Sequence, residues 1–140
     1  MYFRVRPEVA GELGVTTVID TTVHPPIISR LEHRFEGWLG DDLLTVFPVF
    51  IVTEKLRTDL EESPLTGFSF DDVTITKSEL FEELYPERAL PGFSWLKING
   101  QMGIDDFAET RRGRLVVSER ALDLLRQHHF QDAEVEELHE

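Results

Sequence analysis

Two stretches of this chain repeat one order of residue types: an apolar pair, a hydroxyl, an acid and a base. They are Ile51-Val52-Thr53-Glu54-Lys55 and Val116-Val117-Ser118-Glu119-Arg120. β-Branched residues favour a strand, a Thr or Ser behind them can accept an N–H of the first helical turn, and an acid there meets the positive helix end. Each stretch therefore predicts a strand passing directly into a helix. Leu60 and Leu125 each lie seven residues after the hydroxyl. Each copy then runs through a turn to an aromatic, Phe68 or Phe130, and on to a strand mixing apolar and acidic residues. Two strand–helix–strand units, over residues 50–76 and 115–138, would lay their helices on a shared sheet. Any capped helix after a strand has this look, so an internal repeat and a chance likeness both stand as readings.

Around these units the pattern is strand-rich with short helices. Residues 2–6 alternate as a first strand, and 16–28 are extended but broken by Pro25-Pro26. Leu31, Phe35 and Trp38 lie four and three apart, which predicts a short helix over 30–38. Residues 43–52 read as one strand that Pro48 places at an edge or a bulge. Phe68-Ser69-Phe70 and Val73-Thr74-Ile75-Thr76 alternate as strand, 78–85 as a helix closed by Pro86, 93–98 as strand before an Asn99-Gly100 turn, and 133–138 as the last strand. The expected fold is α+β: a single domain spanning 1–140, mainly antiparallel sheet with short helices packed on it.

Composition narrows the function. With 140 residues, 41% hydrophobic and ten Phe among them, the chain can bury a core without staples. The absence of Cys excludes disulfides, thiolate metal sites and a cysteine nucleophile, and leans towards a reducing compartment. No signal-peptide pattern opens the chain, and no apolar run approaches the roughly 20 residues of a spanning helix. A cytoplasmic location is expected. The net charge of −13 argues against direct nucleic-acid binding and against an anionic membrane surface.

Candidate chemistry is sparse. His24, His33, His128, His129 and His139 are the only imidazoles, and the adjacent pair His128-His129 cannot chelate one ion from a helix, so no metal or cofactor is expected. No Ser sits in a Gly-x-Ser-x-Gly elbow, and no glycine-rich phosphate loop is present. The acidic doublets Asp41-Asp42, Glu61-Glu62, Asp71-Asp72 and Asp105-Asp106 read as solvated surface rather than as catalytic dyads. No catalytic residues are expected, and the protein is read as a non-enzyme.

The acids are unevenly placed. Asp59, Glu61, Glu62, Asp71 and Asp72 lie between Arg57 and Lys77 with no Lys or Arg among them; Asp132, Glu134, Glu136, Glu137 and Glu140 follow Arg126, again unopposed. Two equivalent negative segments would steer a basic partner, and these residues (Glu140 apart) are the expected partner-binding set. Arg111, Arg112 and Arg114 form one basic cluster, readable as internal counter-charge or as a second contact.

Several segments carry a resemblance: Gly37-Trp38-Leu39-Gly40-Asp41-Asp42-Leu43-Leu44, Phe50-Ile51-Val52-Thr53-Glu54-Lys55-Leu56, Thr66-Gly67-Phe68-Ser69-Phe70-Asp71-Asp72-Val73, and Leu115 through Leu125. They resemble immunity proteins of bacterial polymorphic toxin systems, a loose group with double Cys-x-x-Cys-Gly relatives. This chain lacks those cysteines, so no metal property carries over. The resemblance implies a bacterial cytosolic protein that binds and inactivates a cognate toxin domain, basic at its active site. Aromatics near Trp38 or Trp95 would anchor the partner unless both belong to the core. The alternative is a small-molecule-binding or regulatory module with its pocket near Phe93 and Trp95.

Overall fold

The computed structural model describes residues 1–138. The chain begins with β1 (Tyr2–Arg6), β2 (Glu8–Val9), β3 (Gly11–Leu13), β4 (Val18–Asp20), β5 (Ile27–Arg30) and β6 (Glu32–Phe35). Next come β7 (Leu43–Val46), β8 (Val49–Thr53), α1 (Glu54–Glu62), β9 (Phe68–Asp71), β10 (Thr74–Lys77) and α2 (Glu79–Leu84). It ends with β11 (Phe93–Ile98), β12 (Phe107–Glu109), β13 (Leu115–Ser118), α3 (Glu119–Leu125) and β14 (Glu134–Glu137). The strands form a five-stranded sheet β2-β7-β8-β11-β9, a four-stranded sheet β12-β13-β1-β14, a small sheet β10-β6-β3 and the ribbon β4-β5. Pairing is antiparallel except for β2–β7 and β10–β6. The fold is α+β, with short helices on mostly antiparallel sheet.

β8 organises the molecule. Its run Val49-Phe50-Ile51-Val52 is apolar at every position, the pattern of a strand covered on both faces, and all five of its residues are buried. Phe50 and Val52 enter one core with Leu56 and Leu60 of α1, Leu122 and Leu125 of α3, and Val5, Leu96 and Val117. Val49 and Ile51 enter a second core with Phe35, Phe81, Phe93 and Trp95. Each fully buried aliphatic side chain there contributes about 1.5–3 kcal/mol, so β8 is the strand the fold can least spare.

The two capped helices occupy the same surroundings. In one unit β7–β8–α1–β9 the spatial order is β7-β8-β11-β9, with β11 inserted antiparallel between β8 and β9. In the other, β12–β13–α3–β14, the order is β12-β13-β1-β14, with β1 inserted in the same sense. α1 lies on β8 and β11, and α3 on β13 and β1. The N-terminal strand therefore does for the second unit what β11 does for the first.

Three expectations are corrected here. Residues 30–38 form no helix but the end of β5 and β6 (Glu32–Phe35) followed by irregular chain: Leu31, His33 and Phe35 are all buried at alternate positions. Residues 43–52 are two strands, not one; Phe47 and Pro48 turn a hairpin, with a cis bond between them and Val46 paired to Val49. β9 and β10 also join different sheets rather than continuing as one strand.

Candidate functional site

The acids singled out in the sequence are not unopposed in space. On α1, Asp59 hydrogen-bonds His128 Nε2 at 2.6 Å, and Glu61 faces Arg57 at 3.4 Å. On β9, Asp71 accepts from Lys97 at 3.0 Å and from the Asp72 amide, and the amide and lysine together hold its carboxyl below the usual range. On β14, Glu134 pairs with Arg6 at 3.1 Å and Glu136 with Arg4, because cross-strand register sets each pair directly opposite. Glu62, Asp72, Asp132 and Glu137 are exposed and form no ion pair among the described residues. β9 and β14, which carry Asp71 and Glu134, Glu136 and Glu137, are edge strands of different sheets. Glu140 and His139 lie outside the described residues.

The doublets Asp41-Asp42 and Asp105-Asp106 are not solvated turns either: Asp41, Asp42 and Asp106 are buried. Asp42 and Asp106 do the same thing in the two units. The cap hydroxyl of Thr53 accepts the Leu56 N–H and donates to Asp42 Oδ1 at 2.8 Å, while the Thr53 N–H donates to the Asp42 carbonyl at 2.9 Å. Ser118 accepts the Ala121 N–H, donates to Asp106 Oδ1 at 2.7 Å, and sends its own N–H to the Asp106 carbonyl at 2.8 Å. Each aspartate thus orients a helix cap. Asp106 also accepts Arg120 Nε and Nη2 at 2.7 and 2.8 Å, and this bidentate pair leads the forces that hold its carboxyl far below the ordinary range. The Asp42 carboxylate instead accepts the His129 amide at 2.8 Å.

Asp41 belongs to a third device. Its carboxylate, those of Glu8 and Asp132, place one oxygen each within 4.8 Å of the others, a spacing a hard cation could bridge. Two of the three are already engaged by backbone donors. Glu8 accepts the Leu39 and Asp41 amides, and Asp41 accepts those of Gln131 and Asp132. Burial raises the carboxyls of both Glu8 and Asp41. The cluster clasps the loop before β7 to the loop before β14.

Unopposed negative charge gathers instead on α2, which the sequence reading passed over. Ser78 Oγ accepts the Phe81 N–H at 3.0 Å and starts the helix. Phe81, 0% exposed, is its sole buried residue, packed edge-on against Phe35. Leu80, Leu84 and the following Tyr85 are left 51%, 58% and 40% exposed. Glu79, Glu82 and Glu83 of α2, and Glu87 beyond it, are their neighbours in sequence, and among the described residues no Lys, Arg or His nitrogen lies within 4 Å of any of the four. The two nearest bases in sequence lie against the aromatic rings of this segment rather than against its carboxylates: Lys77 Nζ is 5.6 Å from the Phe81 ring and the Arg88 guanidinium 5.6 Å from the Tyr85 ring. Arg88 stacks on Trp38 and donates to its carbonyl at 2.6 Å, and Lys77 donates to the Arg88 carbonyl. Both Trp pack into the second core, so neither is an exposed anchor. The signal was readable: four acids from 79 to 87 with no base, among more large apolar residues than a six-residue helix can bury.

What the fold and surface define is an α+β domain with an acidic, apolar-tipped helix. No family model, no curated protein and no solved structure matches the chain. Among the described residues, no helix is long and apolar enough to cross a membrane.

Proposed function

We propose that the protein acts by binding, that its partner is a basic protein, and that this partner is a bacterial toxin domain which it neutralises. The observation that carries the reading is α2, a helix anchored by Phe81 that leaves Leu80, Leu84 and the following Tyr85 exposed, with Glu79, Glu82 and Glu83 on its other side. Apolar and aromatic side chains in the middle of a patch supply most of the energy of a complex. Flanking charge of one sign speeds encounter with a surface of the other. A toxin that grips phosphate through Lys and Arg would offer that surface. The resemblance of segments 37–44, 50–56, 66–73 and 115–125 to immunity proteins supplies the toxin class. The partner-binding face is here assigned to α2, with Glu62, Asp72 and Glu137 as outlying charges.

Co-expression with the product of the neighbouring gene tests this. The wild-type chain is expected to rescue growth and to co-purify, and Leu84→Ala with Glu83→Lys to lose both while keeping the melting temperature. Glu62→Lys with Asp72→Lys is expected to change little. Unimpaired rescue by the α2 variant, or absence of any complex at low salt, would refute the assignment.

A further inference from the structure

The opposite charge has its own place. A cleft of about 530 Å³ opens where β1, the start of β13 and the β7–β8 turn meet. Val5, Phe50 and Leu115, all core residues, form its floor. Phe47, 52% exposed, stands at its rim. Arg4, Arg6, Arg112, Arg114 and His24 also line it, and no Asp or Glu does. In a chain of net charge −13 with only 14 Lys and Arg, four arginines around one apolar hollow are a strong local reversal.

The arginines differ in how they are used. Arg4 and Arg6 already pair with Glu136 and Glu134 across the sheet. Arg112 and Arg114 are exposed and have no acidic partner among the described residues. They are nonetheless not on a loose loop. The Thr110 N–H donates to the Arg114 carbonyl and the Gly113 N–H to the Thr110 carbonyl, both at 2.9 Å. The Arg112 and Arg114 amides both donate to Thr110 Oγ1. Gly113, at φ +76°, turns the chain as few other residues can, and a Cβ there would sit 3.1 Å from the Phe47 ring. Turn and rim aromatic are packed together, so the backbone that carries the two free arginines is fixed beside the cleft.

We propose that this cleft binds an amphiphilic organic anion: a carboxylate, sulfate or phosphate ester whose apolar body lies over Val5, Phe50 and Leu115 and whose head is paired by Arg112 and Arg114. The volume lies in the range of small-molecule sites, which combine an apolar lining with few polar anchors. A guanidinium fork matches an oxyanion in geometry as well as charge. The apolar floor excludes a bare inorganic anion as the best ligand, and the arginines disfavour a neutral or cationic one. The site is separate from α2 and does not rest on the partner proposed above.

Calorimetric titration with three probes of equal chain length tests it: octyl sulfate, octanol and octylammonium. Octyl sulfate is expected to bind one to one. Octanol should bind roughly tenfold or more weakly, as fits loss of a charge-assisted pair, and octylammonium should give no saturable heat. Inorganic sulfate alone should bind more weakly than octyl sulfate. Arg112→Gln with Arg114→Gln should cut octyl sulfate affinity by the same factor with the melting temperature unchanged, whereas Leu84→Ala should leave it as it was. Equal affinity for all three heads, full affinity in the arginine variant, or no saturable octyl sulfate binding would each overturn the proposal. So would a concentration-dependent dimer that octyl sulfate dissociates, because the cleft would then be holding the acidic helix of a second copy.

Discussion

Replacing Asp106 by Ala removes the acceptor on which one helix cap, one arginine and one loop amide converge. The side chain is 7% exposed and accepts from Arg120 twice, from Ser118 Oγ and from the Thr66 amide at 3.0 Å. Arg120 is 59% exposed, so its pair is screened and worth about 1 kcal/mol at most. The Ser118 hydroxyl loses its acceptor but keeps its cap, for about 1 kcal/mol, and the Thr66 amide, near solvent, adds about 0.5–1 kcal/mol. The expected cost is about 2–3 kcal/mol at pH 7, a large part of the ~5–15 kcal/mol that holds a domain together. Urea unfolding followed by Trp38 and Trp95 fluorescence measures it. Asp106→Asn, which keeps the shape and loses the charge, should cost less. The folded carboxyl lies below its unfolded value near 3.8, so its charge stabilises fully above that value and progressively less as pH falls beneath it. The gap between wild type and Asp106→Asn should therefore narrow below about pH 4. A cost under about 1 kcal/mol for the Ala variant, or a gap indifferent to pH, would refute the reasoning.

Glu109 is held by burial with its carboxyl raised from 4.5 to about 7. Wild-type stability should thus fall as pH rises through that window and level off above it, and Glu109→Gln should gain up to about 3 kcal/mol at pH 8 and almost nothing at pH 4.5, read by thermal unfolding at both values. His33, fully buried beside Phe35, has its imidazole lowered from 6.5 to about 4. Its contribution is present above 6.5 and lost as pH drops towards 4, so His33→Phe should flatten the acid limb by about 3 kcal/mol in urea titrations across that range. Phe81→Ala opens a cavity under α2 and should cost about 3–4 kcal/mol, with amide exchange in 79–85 accelerating beyond that of α1 and α3.

What could be read from the residues was what is local. The hydroxyls at 53, 78 and 118 announce three helices because a cap acts within one turn, and the unbroken apolar run of β8 announces a strand covered twice. What misled was buried charge. In β6, Glu32 and His33 sit among apolar neighbours and hide the alternation of Leu31 and Phe35, whose spacing of four suits a strand as well as a helix. Glu32 tolerates burial because Thr16 and Thr76, 16 and 44 residues away, donate to it. The expectation that the chosen acids are unopposed went wrong for the same reason. Partners of the chosen acids lie in other elements, such as His128 for Asp59 and Arg4 for Glu136, and distance along the chain says nothing about them.

The formal charge of −13 is therefore two populations with different consequences. Glu8, Glu32, Asp41, Asp42 and Asp106 are buried and held by amides, hydroxyls or Arg120. A partner in solution meets little of their field, and their removal is felt as instability. The carboxylates of α2 form no ion pair among the described residues, and the helix is capped by Ser78 and anchored by Phe81. Glu79 and Glu82 lie in its first turn, where the helix dipole favours an acid, while Glu79 and Glu83, four apart, repel each other slightly. These carboxylates lie beside three exposed apolar side chains, Leu80, Leu84 and Tyr85, the pairing on which the proposed partner surface rests. With reversed sign, the arginine-lined cleft sets Arg112 and Arg114, exposed on a hydrogen-bonded turn, beside an apolar floor. Unpaired charge next to exposed apolar surface is common to α2 and the cleft, and it separates both from the acids that the clasp and the caps consume.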